Sequence, residues 1–345
     1  MNNRYKELAG LLAANPKGVI HQFTIPTESG SLAELSGTFL TGDDLNAENA
    51  DEILLNGIPV LESEDEKLIF REPFYRQERL IIMGAGHVGE LLSRLAKITG
   101  YYVIVCDDRP EYANKERLTD ADEVYCSSFA QCVEWVSPRS TDYVVIVTKD
   151  HQCDTDCLTA MLDYEEPLYL GMIGSKARVR IVFNELEQEG YSRERLDRVC
   201  NPIGLPIGSK TVEEIAISIM AEVIQYRRKE SRGCAYIDRS DHNIADILDL
   251  GTIERPCAMV VLLETHGSAP RRAGACMAVF EDGSIMGSTG GGSAEGEMIE
   301  LAQSLIGTGR YQIYRANFNT RTGIKASMVC GGHIAALVWD VPVDA

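Results

Sequence analysis

The stretch Arg79–Arg109, RLIIMGAGHVGELLSRLAKITGYYVIVCDDR, changes its hydrophobic period twice within thirty-one residues. Leu80–Met83 is a short apolar run of the kind that forms a buried strand. Gly84, Gly86 and Gly89 follow in G-x-G-x-x-G spacing, and Val88, Leu91, Leu92 and Leu95 then recur at helical period. Past Gly100 a second strand, Tyr102–Val105, leads into Asp107-Asp108. Each glycine has a separate physical task. Gly84 makes the tight turn, Gly86 lets backbone approach a pyrophosphate, and Gly89 lets the helix lie close to its strand. The N-terminus of the helix that follows offers free N–H groups and the positive end of its dipole to an anion. An acidic residue about 20 positions on suits a ribose 2′-hydroxyl, and Asp107 stands there. Strand, turn, helix, strand and Asp in this order predict a Rossmann-type half with a nucleotide crevice. The same glycines can also be kept for packing alone.

Outward from this stretch, strands and helices alternate to about Arg228, as in a parallel sheet wound with helices. Glu123–Tyr125, Tyr143–Val147 and Leu168–Met172 are the next strands expected. Ligands of open α/β sheets bind beyond the carboxyl ends of the strands. That directs attention to Thr148-Lys149-Asp150-His151 and to the second glycine-rich turn, Gly171–Lys176, with Gly174, Ser175 and Lys176 ahead of a helix. Thr211 and Glu214 form a T-x-x-E capping box at the start of the last helix of this domain. Lys229–Arg239 reads as a linker.

A second domain follows, with a helix over Asn243–Leu250 and strands over Ala258–Leu263, Met277–Phe280, Ser284–Met286 and Ile334–Trp339. Asp282-Gly283 signals a hairpin. Gly290, Gly291 and Gly292 lead into a helix near Ser293 whose first turn holds Glu295. Such a loop can turn several N–H groups towards one anion. Ser268 and Arg271 could add a hydroxyl and a bidentate guanidinium. The competing reading is a hairpin corner capped by Ser293, with Glu295 serving the helix dipole; residue chemistry alone favours neither. The fold class expected is α/β, a Rossmann-like parallel-sheet domain followed by a smaller α+β domain with a glycine-rich loop. Its spans are 76–230 and 241–345, after an N-terminal subdomain at 1–75 with no catalytic motif.

A formal charge of −19 repels nucleic acid and anionic membranes, so neither is expected as a partner. MNNRYKELAG lacks the apolar segment of a signal peptide, and no apolar run approaches the ~20 residues of a membrane span. A cytoplasmic protein is expected, with its 10 irregularly spaced cysteines reduced. His151, Cys153 and Cys157 lack the second close pair that zinc sites favour, so no metal ligands are assigned. Cys276 reads as core, whereas Cys330, beside two glycines, is the thiol to watch.

These motifs together resemble the XdhC/CoxI family. Gly84–Gly89, Asp107-Asp108-Arg109, Thr148–His151 with Asp154, Gly171–Lys176 and Pro202–Leu205 resemble its Rossmann domain. Gly267–Arg271, Gly274-Ala275, Gly287, Gly290–Glu295 and Cys330-Gly331-Gly332 resemble its other module. The matches cover roughly two-thirds of the chain, and Leu68–Phe74 resembles the strand leading into the Rossmann domain. Family members are understood as maturation factors that bind molybdenum cofactor, favour its sulfurated form and deliver it to a molybdenum hydroxylase of the xanthine dehydrogenase type. The resemblance therefore implies molybdopterin or its dinucleotide form as cofactor, and that hydroxylase and a cysteine desulfurase as partners. A homo-oligomer is also expected. Its binding residues would be drawn from the motifs above, His87 and Arg109 included. Two departures stand out. The module order is reversed, and Ser293 occupies the place where the family commonly has Cys. The alternative is an NAD(P)-dependent oxidoreductase using the same crevice, with His151 or Lys149 as proton donor. A third reading is a sensor of another adenine nucleotide.

Overall fold

The computed structural model describes residues 7–8, 10–12, 14–15, 18–41, 59–229, 255–267, 271–317 and 332–342. The linker near Lys229–Arg239 and the helix expected over Asn243–Leu250 lie outside the described residues, except for Lys229 itself at the end of a helix. Two compact units form, one from Gln77–Glu230 and one from Met1–Arg76 together with Ser231–Ala345.

The N-terminal residues contribute β1 (Val19–Pro26), β2 (Gly30–Ser31), β3 (Ser36–Leu40), β4 (Val60–Glu64) and β5 (Lys67–Phe74). Four of these form an antiparallel sheet in the order β3-β1-β5-β4. Alternation along β1 and β5 turns Phe23, Ile25, Leu68 and Phe70 to one side, where they are buried. β2 leaves this sheet and pairs with another, described below.

The unit Gln77–Glu230 is the parallel-sheet domain. It runs β6 (Arg79–Met83), α1 (His87–Ile98), β7 (Tyr102–Asp107), β8 (Glu123–Cys126), α2 (Phe129–Val136), β9 (Tyr143–Ile146), α3 (His151–Leu162), β10 (Tyr169–Met172), α4 (Lys176–Gln188), α5 (Arg193–Leu196) and α6 (Val212–Lys229). The strand order is β10-β9-β6-β7-β8, all parallel. Both faces are covered, so successive residues of β6 enter different cores. Ile81 and Met83 join the side packed by α2, α3 and α4. Leu80 and Ile82 join the side packed by α1 and α6. The capping box is formed as read: Thr211 Oγ accepts the Glu214 N–H at 3.3 Å, and Glu214 accepts the Thr211 N–H at 3.1 Å. Beneath the sheet, Asp142 is 1% exposed and takes two hydrogen bonds from Arg79, at 2.9 and 2.5 Å.

The C-terminal residues add β11 (Cys257–Gly267), β12 (Cys276–Phe280), β13 (Ile285–Gly287), α7 (Gly292–Leu305), β14 (Arg310–Asn317) and β15 (Gly332–Val341). With β2 they make a six-stranded sheet, β13-β12-β11-β15-β14-β2. The hairpin at Asp282-Gly283 forms, with Gly283 at φ +79° and the Asp282 carboxylate accepting the Ser284 N–H at 2.9 Å. One face of this sheet takes α7, whose Ala294, Met298, Ala302 and Leu305 pack on Val260, Leu262 and neighbours. The other face takes the N-terminal sheet: Phe23 and Phe70 share a core with Met259, Leu337 and Trp339. Among the described residues, the sheet of β1, β3, β4 and β5 is thus one layer of a sheet–sheet–helix stack.

Candidate functional site

In the unit Gln77–Glu230 the chain leaves β6 for β7 on one side and later returns to β9 on the other. This switch point opens at the carboxyl edge of the sheet, where open α/β sheets take their ligands. The three glycines divide their work there. Gly84 has φ +119°, and a Cβ on it would lie 2.5 Å from the Val147 carbonyl oxygen. A Cβ on Gly89 would lie 1.9 Å from the Gly84 carbonyl oxygen. Gly86 differs, since among the described residues nothing stands within 4 Å of where its Cβ would point. It is the N-cap of α1 and places no side chain on that helix end. His87, the first residue of α1, is exposed.

Asp107 ends β7 but does not face solvent. It is 1% exposed, and its carboxylate accepts the Ala85 N–H at 2.7 Å and two guanidinium bonds from Arg109, both at 2.8 Å. Burial alone would raise its pKa; Arg109 and the Ala85 and Arg109 N–H groups outweigh burial and hold it below its ordinary value. Asp107 therefore ties the glycine turn to Arg109, whose guanidinium lies 3.9 Å from the centre of the Tyr112 ring. The carboxylate facing outward is that of Asp108, which meets Lys149 at 3.0 Å. In this arrangement Asp107 is enclosed, whereas the Asp108 carboxylate is partly exposed.

The β9 turn is locked in a similar way. The Thr148 hydroxyl donates to Asp154 at 2.5 Å, and Arg178 Nε donates to the other oxygen of Asp154 at 2.5 Å. Asp154 is fully buried, and burial raises its carboxyl above its ordinary value against the opposing pull of Thr148 and Arg178. Arg178 also reaches the Thr148 carbonyl oxygen at 3.3 Å. Thus the β9 turn is stapled to α4. Asp150 caps α3 through the Cys153 N–H at 2.9 Å, leaving His151 exposed in the first turn. Gly174 has φ +154°, Ser175 caps α4 through the Arg178 N–H at 3.3 Å, and Lys176 is exposed. Cys153 and Cys157 are buried on α3, and burial pushes the Cys153 thiol up to about 12. Sequence reading missed Arg178; its position two residues past Lys176, in a helix's first turn beside an anion-suited loop, was the available signal.

In the other unit, Gly290, Gly291 and Gly292 all have positive φ, at +117°, +76° and +81°. Their turn is held from within. Glu295 accepts the Ser288 hydroxyl at 2.8 Å, the Thr289 N–H at 2.7 Å and the Thr289 hydroxyl at 3.1 Å. Burial opposes ionisation, but the Gly291 N–H, Ser288 and Thr289 outweigh it and keep Glu295 below its ordinary pKa. Glu295 is therefore the internal anchor of the loop, and Ser293 is exposed beside it. Pairing of β11 with β12 and β15, and of β12 with β13, brings several connections to one end of the sheet. Arg271 lies before β12, and the glycine triplet follows β13 at that end. Ser268 and Cys330 lie outside the described residues.

Comparison with known proteins agrees with this architecture. Residues 80–223 match the XdhC Rossmann domain, and residues 253–317 match the XdhC and CoxI family. The chain is 31% identical over 157 residues to the uncharacterized protein YqeB of Escherichia coli K12, covering 45% of this chain and 28% of that one. It is 30% identical over 151 residues to a probable xanthine dehydrogenase subunit of Bacillus subtilis 168, covering 44% and 43%. It is 25% identical over 157 residues to the molybdenum cofactor insertion chaperone PaoD of E. coli K12, covering 45% and 42%. The alignments thus span less than half the length of these curated relatives. A solved structure from Bacillus halodurans, described as a xanthine dehydrogenase, superposes with a TM-score of 0.50 at 29% identity, covering 66% of this chain and 65% of that one. Among the described residues no helix is long and apolar enough to cross a membrane. Carrying both modules, in the order Rossmann domain then glycine-triplet domain, the chain belongs to the XdhC and CoxI family.

Proposed function

We propose that the protein binds molybdenum cofactor, as molybdopterin or its dinucleotide form, and supports its sulfuration and insertion into a hydroxylase of the xanthine dehydrogenase type. The observation that carries this reading is the open space beyond Gly86. A phosphate placed there would meet the free N–H groups and positive dipole end of α1, with no side chain of the described residues in the way. The residues fit a phosphate-bearing ligand. The Gly86–His87 backbone would hold the phosphate, Asp108 and Lys149 would flank it, and Asp107 and Arg109 keep the turn in shape. When bound, the cofactor supplies molybdenum and its sulfur ligands, whose chemistry is exercised in the partner enzyme. The names of two relatives, a molybdenum cofactor insertion chaperone and a probable component of xanthine dehydrogenase, support the same reading. A cysteine desulfurase is the sulfur source this role calls for.

Deleting the gene tests the proposal. The partner hydroxylase should be made and folded but inactive, its molybdenum centre missing or lacking the terminal sulfur. Sulfide with a reductant should restore activity where only sulfur is absent. A fully active hydroxylase from such cells would overturn the reading. NAD(H) copurifying with the protein in place of a pterin would favour the nicotinamide alternative.

A further inference from the structure

We propose that Glu264, His266 and His333 form a binding site for a divalent first-row cation of the zinc type. The site stands independently of the cofactor reading. Glu264 and His266 lie near the end of β11, and His333 lies at the start of β15, directly opposite His266 in the strand register. The His266 Nε2 atom is 2.9 Å from one oxygen of Glu264, and the His333 Nε2 atom is 3.4 Å from the other. The two imidazole rings lie 4.3 Å apart, and one donor atom from each of the three residues falls within 4.8 Å of the others. Tetrahedral zinc with bonds near 2.0–2.1 Å needs donors about 3.3 Å apart. Sub-ångström to ångström side-chain shifts bring this set there.

A backbone irregularity creates the juxtaposition. Up to Leu262 the even-numbered residues of β11 face α7: Ala258, Val260 and Leu262 share its core. In a regular strand Glu264 and His266 would do the same. The register shift between Leu262 and Glu264 inserts Leu263 as an extra residue, so that Glu264 pairs with Ala335 and His266 with His333. Ala335 belongs to the opposite core, with Leu337 and Trp339. The bulge therefore carries one carboxylate and one imidazole to the face that holds His333. Bulges that re-aim side chains recur beside functional sites.

Two imidazoles and one carboxylate are a donor set for zinc and its neighbours that leaves coordination positions open. The side chains remain 41%, 61% and 44% exposed, so an ion can enter and keep water or an exogenous ligand.

The test is zinc and cobalt binding to the full chain, stripped of metal and kept reduced. Competition with a chromophoric chelator should show one Zn²⁺ per chain that His266→Ala and His333→Ala each weaken at least tenfold. Glu264→Gln, which keeps the shape and removes the charge, should also weaken it. Co²⁺ should give a visible ligand-field band that disappears in the double histidine variant. Circular dichroism and metal-free melting should match wild type, because all three side chains are partly exposed. If the histidine-to-alanine forms do not fold, His266→Gln and His333→Gln carry the same comparison. Equal zinc affinity in wild type and the folded double variant would overturn the site, as would no zinc uptake by wild type.

Discussion

Replacing each of the three loop glycines by alanine separates packing from ligand binding. Gly84→Ala puts a side chain on a residue with φ +119° and drives Cβ to 2.5 Å from the Val147 carbonyl. Left-handed backbone costs about 1–2 kcal/mol and overpacking about 1–3 kcal/mol, so about 2–5 kcal/mol is expected. For a domain of about 150 residues, at 2–4 °C per kcal/mol, that is a fall in Tm of roughly 4–20 °C. Gly89→Ala should be at least as harmful, with Cβ 1.9 Å from the Gly84 oxygen. Gly86→Ala meets no atom of the described residues within 4 Å and sits at φ −65°, which alanine accepts. As an N-cap change it should cost below about 1 kcal/mol. Yet its Cβ enters the space offered to a phosphate. Losing one N–H bond to a charged oxygen, worth about 1.5–3 kcal/mol, weakens binding ~10- to 150-fold. The assay pairs thermal melting with the pterin retained on purification from cofactor-producing cells, read as fluorescence after oxidation. A folded Gly86→Ala protein with the wild-type pterin load would refute the reasoning about the loop. A Gly84→Ala protein melting like wild type would refute the packing argument.

Other perturbations follow from single contacts. Arg79→Met leaves the 1%-exposed Asp142 without its guanidinium and should cost about 3–5 kcal/mol in urea unfolding. Glu295→Gln keeps the shape of the loop anchor but removes its charge, and should cost about 1 kcal/mol at pH 7. Because the folded pKa of Glu295 is depressed, its contribution is present above the unfolded value of about 4.3 and is lost as pH falls through the folded value. The gap between wild type and Glu295→Gln should therefore close below about pH 4, and a gap unchanged at pH 3 would contradict the anchor. Asp107→Asn should free Arg109 and loosen the glycine turn, with wild type losing the advantage on the same acid side; native-state hydrogen exchange at Ala85 reads it directly. Ser293→Cys, at an exposed helix position, should shift Tm by no more than a few degrees.

Residue order alone determined whatever depends on neighbours a few positions apart. The glycine spacing at 84, 86 and 89, the Thr211–Glu214 capping box, the Asp282-Gly283 hairpin and the unbroken apolar runs of β6 and β9 are all local signals. Each became the expected turn, cap or buried strand because short-range sterics and hydrogen bonding decide those states. Three features waited on tertiary structure. Strands β1 and β5 pack on the C-terminal sheet, where Phe23 meets Trp339 across more than three hundred residues of chain. Asp107 turns inward to Ala85 and Arg109, because its partners and burial come from strand ends that only the sheet brings together. The bulge between Leu262 and Glu264 is a register event between distant strands; a strict two-residue period would leave Glu264 on the wrong face. Periodicity reports which residues want burial, whereas cross-strand pairing decides which of them meet.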